Sequence, residues 1–342
     1  MSFDLNPAKA FDVSLPVGPD APVTLAQALG LVEQVFGIDA ILSDENTDFV
    51  AKYYQQSLPG YSTLYNRWQC MHVALHEPHL DDEAAFFAQA AAVSRLLTTA
   101  PGQRVLELGC GLGANTLHLA ARHPGTEFIG IDLMAEHVAR ATAKARTLAL
   151  ANARFRCASF EALPEGPGAE PGADLGDFDV IFAVETLCYA QAPDRVAARL
   201  ARLLRPGGHL IIFDAHRKIG IKTGSSDLVT AARLYETTTA VTGGFHVEGC
   251  WEGALATAGL AVASDDITGK THQGLARLHR RSMKAFTDPK WRLALRVMPR
   301  YLARNAVAGL VGYHVCFGDG PQPHPTCGVI AYQKIVARKL GD

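Results

Sequence analysis

The sequence is short of several things, and each shortage narrows the field. Its seven cysteines (Cys70, Cys110, Cys157, Cys188, Cys250, Cys316, Cys327) are odd in number and scattered, with no C-x-x-C pair. That argues against a disulfide framework, and a reducing, cytoplasmic setting is the simplest reading. An excess of one charge is missing too. Thirty-two Lys and Arg stand against 34 Asp and Glu, for a net charge of −2, so bulk electrostatics exclude a general nucleic-acid binder. No apolar run reaches the roughly 18 residues that span a bilayer. The first ten residues lack the basic start and apolar core of a signal peptide. No internal repeat is visible. What remains is ordinary globular composition, 342 residues and 48% hydrophobic, enough for one large domain with additions.

Along the chain, residues 1–24 are rich in Pro, Asp and Gly and read as a loose arm. Thr24 is placed to cap a helix over Leu25–Phe36. Residues 47–80 hold Phe49, Tyr53, Tyr54, Tyr61, Tyr65 and Trp68; they form either a lid or a helical packing layer. Residues 81–98 read as one helix. From there strands alternate with helices: strands at 105–108, 127–133, 153–158, 178–184 and 208–214, helices at 114–122, 135–150 and 192–204. Residues 164–177 form a polar loop, and Pro206-Gly207-Gly208 stops the last of these helices. Such alternation predicts an α/β, doubly wound parallel sheet. Later come helices at 226–239 and 251–258, a strand at 260–267, a helical basic stretch at 269–308, and a strand at 326–336. The expected division is an arm and helical lid at 1–80, then a cofactor-binding domain at 81–342 with insertions at about 215–250 and 269–325.

The first strand runs into Glu107, Gly109, Cys110, Gly111 and Gly113. Strand, glycine turn and helix make a ligand cradle at the carboxyl end of a parallel strand. A dinucleotide site wants G-x-G-x-x-G, with a pyrophosphate at the helix start. Here the spacing is G-x-G-x-G, and Glu107 precedes it. A carboxylate there repels a pyrophosphate and suits the ammonium of S-adenosylmethionine. Asp132, 19 residues after Gly113 and at the end of the next strand, suits ribose hydroxyls in either case.

Four stretches, Glu107–Gly113, Gly130–Asp132, Phe178–Glu185 and Leu204–Gly208, together resemble the class I S-adenosylmethionine-dependent methyltransferases, over about residues 80 to 215. The resemblance implies a Rossmann-like sheet of seven strands whose last strand is antiparallel. It implies that Gly109, Gly111 and Gly113 wrap the methionine part and that Glu107 holds the loop or the ammonium. It further implies Asp132 on the ribose and Leu133 on the adenine. Ser159 stands where the family often has an aspartate for the adenine amine, and Phe160 offers its backbone N–H.

The segment Val184–Ala190 is similar to the sterol and isoprenoid C-methyltransferases, which carry an acid and an aromatic or His in this turn, here Glu185 and Tyr189. The aromatic block ahead of the core is similar to that group and to the tocopherol-type enzymes. The resemblance implies an enzyme that methylates an alkene carbon of an apolar acceptor: unsaturated fatty acyl, sterol-like or isoprenoid. Methyl transfer to an alkene leaves a carbocation, which Glu185 stabilises or deprotonates; the alternative for Glu185 is a carboxylate that orders its loop. O- or N-methylation of a small metabolite, with His216 or a tyrosine as base, stays open, as does a scaffold that binds the cofactor without chemistry.

Residues 277–304 hold nine Lys or Arg and only Asp288 as an acid. Arg292, Arg296, Arg300 and Arg304 recur every four residues and share a face if one helix continues through Pro299. This suits an anionic membrane surface or a solvated basic face. No nucleic-acid partner is expected, and a homo-oligomer is left open. His72, His76 and His79 are spaced for a metal only if helical; no metal site is assigned.

Overall fold

The computed structural model describes residues 23–43, 49–61, 65–98, 101–163, 177–221, 224–241, 243–320 and 322–341. The expected arm lies outside these residues up to 22, and the expected polar loop up to 176. The chain divides into two compact units. One holds the described residues of Ser57–Ile219, Gly243–Gly274 and Ile330–Asp342; the other holds those of Met1–Gln56, Gly220–Thr242 and Leu275–Val329.

The first unit is built on seven strands: β1 (Arg104–Leu108), β2 (Glu127–Asp132), β3 (Ala153–Cys157), β4 (Phe178–Val184), β5 (Leu204–Arg217), β6 (Leu260–Asp266) and β7 (Ile330–Lys339). Their order is β3-β2-β1-β4-β5-β7-β6. The pairs among β1 to β5 are parallel, and β7 is antiparallel to both β5 and β6. The expected sheet, with its last strand reversed, is the one found. Strand order reverses between β1 and β4, which opens a crevice at their carboxyl ends. Leu106, Leu108, Ile129, Ile131, Ile181, Ala183, Leu210 and Ile212 form one buried face with Trp251 and Leu255 of helix Cys250–Thr257 and with Val196 and Leu200 of helix Pro193–Leu203.

Two local expectations change. The helix expected at 81–98 is two, Asp82–Phe86 and Ala88–Ser94. Phe87 leaves helical geometry (φ −104°, ψ 15°) and stacks its ring on His118 with centroids 3.7 Å apart. Pro206-Gly207-Gly208 does not precede β5 but bulges within it. Phe178 pairs with Leu204 and Val180 with His209, two steps along β4 against five along β5. Local glycine signals mark such a bend without saying whether pairing resumes on its near side.

The second unit is helical. Helix Leu25–Phe36 starts in a capping box, with Thr24 and Gln27 each bonding the other's backbone N–H. Tyr53 Oη donates to Asn305 Oδ1 at 2.8 Å, and Phe36 meets Phe286 edge-on at 5.9 Å. Gly312 of helix Arg300–Phe317 lets the Tyr235 ring approach to 3.0 Å from where a Cβ would sit. The stretch expected to be helical at 269–308 is three helices, Thr268–Thr287, Pro289–Val297 and Arg300–Phe317. The residue before a proline is pushed out of the α region, and Met298 accordingly sits at ψ 164°. The four arginines therefore do not share one face. Arg292 turns to Gln34 Oε1 at 3.5 Å, and Arg304, 6% exposed, donates to the Ala40 carbonyl at 3.3 Å.

The bulge gives a test of backbone against side-chain crowding. A Cβ at Gly208 would lie 2.9–3.2 Å from the carbonyl oxygens of Arg205, Phe178 and Asp179, whereas Gly207 (φ +79°) faces open space. Gly207→Ala is expected to cost about 1 kcal/mol of left-handed strain, and Gly208→Ala roughly 2–3 kcal/mol. Urea midpoints measure both; equal losses would mean the backbone around Phe178 gives way.

Candidate active site

Four neighbouring parallel strands, β2, β1, β4 and β5, carry carboxylates level with one edge of their parallel pairing: Asp132, Glu107, Glu185 and, inside β5 just after Phe213 which pairs with Val184, Asp214. A carboxylate on its own in an apolar interior is expensive. Each of these is instead bonded by backbone N–H groups of a loop or turn.

Glu107 is 3% exposed. Its Oε2 accepts from the Thr116 N–H at 3.0 Å and from the Thr116 hydroxyl, and its Oε1 from Asn115 Nδ2 at 3.3 Å. Both donors stand in the first turn of helix Ala114–Arg122. Burial pushes the carboxyl up to about 7, against the pull of those hydrogen bonds. Among the described residues no lysine or arginine pairs with it. A carboxylate has about four acceptor positions, so one is left.

Asp132 ties two loops together. Its Oδ2 accepts from the Gly111 N–H and its Oδ1 from the Met134 N–H, both at 2.8 Å, and His137 Nδ1 lies 3.3 Å from Oδ1. Next to it Leu133 is 61% exposed. Between these acids Gly109, Gly111 and Gly113 all have positive φ. A Cβ on Gly113 would lie 2.8–2.9 Å from Phe155 and Ala141, and one on Gly109 would run into the Thr186 side chain. Cys110 is buried, and its N–H donates to the Ile131 carbonyl. Ser159 caps the 3-10 turn Phe160–Ala162 by accepting from the Glu161 N–H at 3.2 Å, and Phe160 is partly buried.

Above the loop runs the segment from Cys70 to His76, which is not helical. His72 and His76 therefore do not stack one turn apart. Met71 Sδ sits 2.9 Å from where a Gly111 Cβ would be, and His72 lies beside Asn115. The Val73 N–H donates to Glu185 Oε1 at 2.7 Å. Tyr332 of β7 also donates to Oε1, at 3.0 Å. Glu185 holds φ +50°, a strained conformation for a residue with a Cβ, and burial pushes its carboxyl up to about 7. Tyr189 closes the 3-10 turn Leu187–Tyr189 and is partly exposed.

Asp214 completes the row. It is 1% exposed and accepts from Thr186 N at 3.1 Å, Cys188 N at 2.9 Å and Ala215 N at 2.9 Å. Burial pushes it up to about 6. His216 lies inside β5 rather than beyond it, 1% exposed, with Nδ1 3.2 Å from the Asp214 carbonyl; burial pushes the ring down to about 4. Asp214 and Tyr332 were not singled out from the sequence. Asp214 does carry a signal, an acid that closes an apolar run as Asp132 does. Tyr332 carries none, being 147 residues from its partner.

The residues fit a cationic ligand with a ribose. Glu107 and Asp132 each keep an acceptor position on a buried oxygen, Glu107 lacks a cation, and exposed Leu133 stands beside Asp132. A pyrophosphate would meet the Glu107 charge instead.

The profile of a family described as "Methyltransferase domain" matches residues 99–276, just over half of the chain. Among curated proteins, a nocamycin O-methyltransferase from Saccharothrix syringae is 41% identical over 118 residues, 34% of this chain and 39% of that protein. A 24-methylenesterol C-methyltransferase from Oryza sativa subsp. japonica is 28% identical over 147 residues, 43% of this chain and 38% of that protein. The chain thus spans about two fifths of the length of these relatives. Two solved structures share the fold. A cyclopropane synthase from Mycobacterium tuberculosis has a TM-score of 0.66 at 16% identity, covering 86% of this chain and 99% of that one. A geranyl diphosphate C-methyltransferase from Streptomyces coelicolor A3(2) has a TM-score of 0.55 at 16% identity, covering 84% and 98%.

Removing one acceptor tests the carboxylate row. Asp214→Asn keeps the shape but turns an amide toward the Thr186 and Cys188 N–H groups, and is expected to cost roughly 1–3 kcal/mol. Hydrogen exchange at those two amides should accelerate about tenfold or more. Unchanged protection there would remove Asp214 from the ordering of this loop.

Proposed function

The chain belongs to the methyltransferase-domain family, and from that premise we propose that it moves a methyl group from S-adenosylmethionine to an alkene carbon of an apolar, lipid-like acceptor. The observation that carries the acceptor half is Glu185: a partly buried carboxylate on a strained backbone, held at the end of β4 by donors from residues 73 and 332. When bound, the cofactor supplies an electrophilic methyl carbon on a sulfonium. Glu107 and Asp132 would hold it through its ammonium and its ribose, and Leu133, Ser159 and Phe160 would border the adenine. Met71 and His72 cover the loop and exclude water from it.

An alkene that gains a methyl at one carbon becomes cationic at its neighbour. Glu185 faces that charge as a carboxylate and then takes the proton that restores the double bond. Its oxygen is oriented by the Val73 N–H and the Tyr332 hydroxyl, so the base is fixed before the acceptor arrives. Tyr189, in the same turn, borders the acceptor. We assign no proton transfer to His216, which is buried and neutral.

The second reading is O-methylation, favoured by the 41% identity to an O-methyltransferase. There Glu185 removes the hydroxyl proton before or during transfer. The two readings differ in product. After incubation with methyl-labelled cofactor and a cell extract, the label is expected in the organic phase and resistant to hydriodic acid, which frees methyl iodide from O-methyl groups. Label confined to the aqueous phase would sink the lipid reading; acid-labile label would move the proposal to oxygen.

The pH dependence follows from the sign of the shift. Glu185 is raised to about 7, and a base works ionised, so kcat/KM should climb through pH 7 to a plateau and fall away below it. Glu185→Gln should cut turnover about a hundredfold or more and abolish that limb, while cofactor affinity stays the same. Tyr332→Phe removes a donor to the charged form, so the limb should move to higher pH. A limb that survives in Glu185→Gln would assign the base elsewhere.

A further inference from the structure

Among the described residues eight large hydrophobic side chains are exposed, and three of them sit on the nine-residue helix Pro289–Val297: Trp291 at 53%, Leu293 at 63% and Val297 at 77%. Scattered exposure of this kind needs no cause, but Leu293 and Val297, four residues apart on one short helix, make a patch. Helical spacing gives the patch a direction. Leu295, 5% exposed, marks the face packed into its own unit. At about 100° per residue Leu293 and Val297 share a stripe on the opposite side. Lys290 and Arg296, both exposed, flank that stripe, whereas Trp291, four residues before Leu295, stands on the other side of the helix.

The charge along this stretch of chain is almost all of one sign. Arg280, Arg281, Lys284 and Arg300 are exposed in the adjoining helices, and Asp288 is the only acid between residues 277 and 304. Asp288 is engaged as the N-cap of this helix, its Oδ1 accepting from the Lys290 N–H at 2.9 Å. Aliphatic residues flanked by long cations suit the boundary between headgroups and acyl chains, where Lys and Arg reach phosphate while the apolar residues sink. A nucleic acid would bond the cations and leave Leu293 and Val297 in water.

We propose that helix Pro289–Val297 is a membrane-surface anchor, seating Leu293 and Val297 in a bilayer that bears anionic headgroups, with Lys290 and Arg296 on the phosphates. It lies in the plane of the surface; no helix among the described residues is long and apolar enough to cross a membrane. The anchor goes beyond the methyl-transfer reading and does not depend on which acceptor is methylated.

Sedimentation of the full chain with phosphatidylcholine vesicles, with and without phosphatidylglycerol and without added cofactor, tests it. Binding is expected only to the anionic vesicles and at low salt, with release as salt screens the surface. Lys290→Gln with Arg296→Gln should lower the partition coefficient roughly 30-fold. Leu293→Ser with Val297→Ser should lower it roughly a hundredfold or more. Both pairs are exposed, so thermal midpoints should not move, which separates lost binding from lost folding. Bromine-labelled acyl chains should quench the emission of a tryptophan placed in the stripe by Leu293→Trp; absence of that quenching in vesicle-bound protein would also overturn the proposal. No binding at low salt, or equal binding by both double variants, overturns the proposal. So does a dimer in sedimentation equilibrium that is lost with Leu293→Ser and Val297→Ser in the absence of vesicle binding; it would give the face to a second copy.

Discussion

Much of the sheet unit depends on one kind of contact, a backbone N–H donated to a buried carboxylate at the end of a parallel strand. Glu107 takes the Thr116 N–H, Asp132 those of Gly111 and Met134, Asp214 those of Thr186 and Cys188, and Glu185 that of Val73. Each bond joins a strand end to a loop or turn that would otherwise have few reasons to hold one shape. Charge-assisted bonds are stronger than neutral ones, and partners already buried have no water to compete with them. The crevice between β1 and β4 is therefore lined by loops that are fixed from below by acids as well as by contacts with each other, such as that of Thr186 with Gly109.

The same row gives the crevice its electrical character. Burial raises Glu107, Glu185 and Asp214 toward neutrality, because the protein supplies amides for them but few positive charges. A site built this way gains most from a ligand that brings its own cation, and gains again when positive charge develops during a reaction. On the proposed reading, binding and chemistry draw on one feature, and the acids that shape the loops are the ones that favour the guest.

What could be read in the sequence was whatever is written locally. Thr24 and the apolar face behind it give the first helix, the alternation of β-rich runs with helices gives the sheet, and Glu107 with the glycines gives the cradle. Order along the chain gave the reversed last strand only through resemblance. The rest depends on partners distant in sequence. Phe87 breaks its helix because His118 waits for its ring, and the pairing of Leu204 with Phe178 decides that the glycine bend lies inside β5. Tyr332 meets Glu185 across 147 residues, and no local pattern encodes that. Met298 is a different case: Pro299 was in plain view, and the rule for the residue before a proline would have broken the arginine stripe.

The position of β7 bears on how the protein is made. It enters the sheet between β5 and β6, although it is synthesised after both. While the ribosome works through the intervening 63 residues, from Ile267 to Val329, β5 and β6 each present an open edge to solvent or to each other. Premature pairing of those two edges would close the slot that β7 must fill. The polar run Ser264-Asp265-Asp266 at the end of β6 is matched to β7 instead, whose Lys334 Nζ reaches Asp265 Oδ2 at 2.6 Å. Vectorial synthesis thus asks for a strand that stays unattractive until its proper neighbour arrives, carrying Tyr332 to Glu185 as it does so.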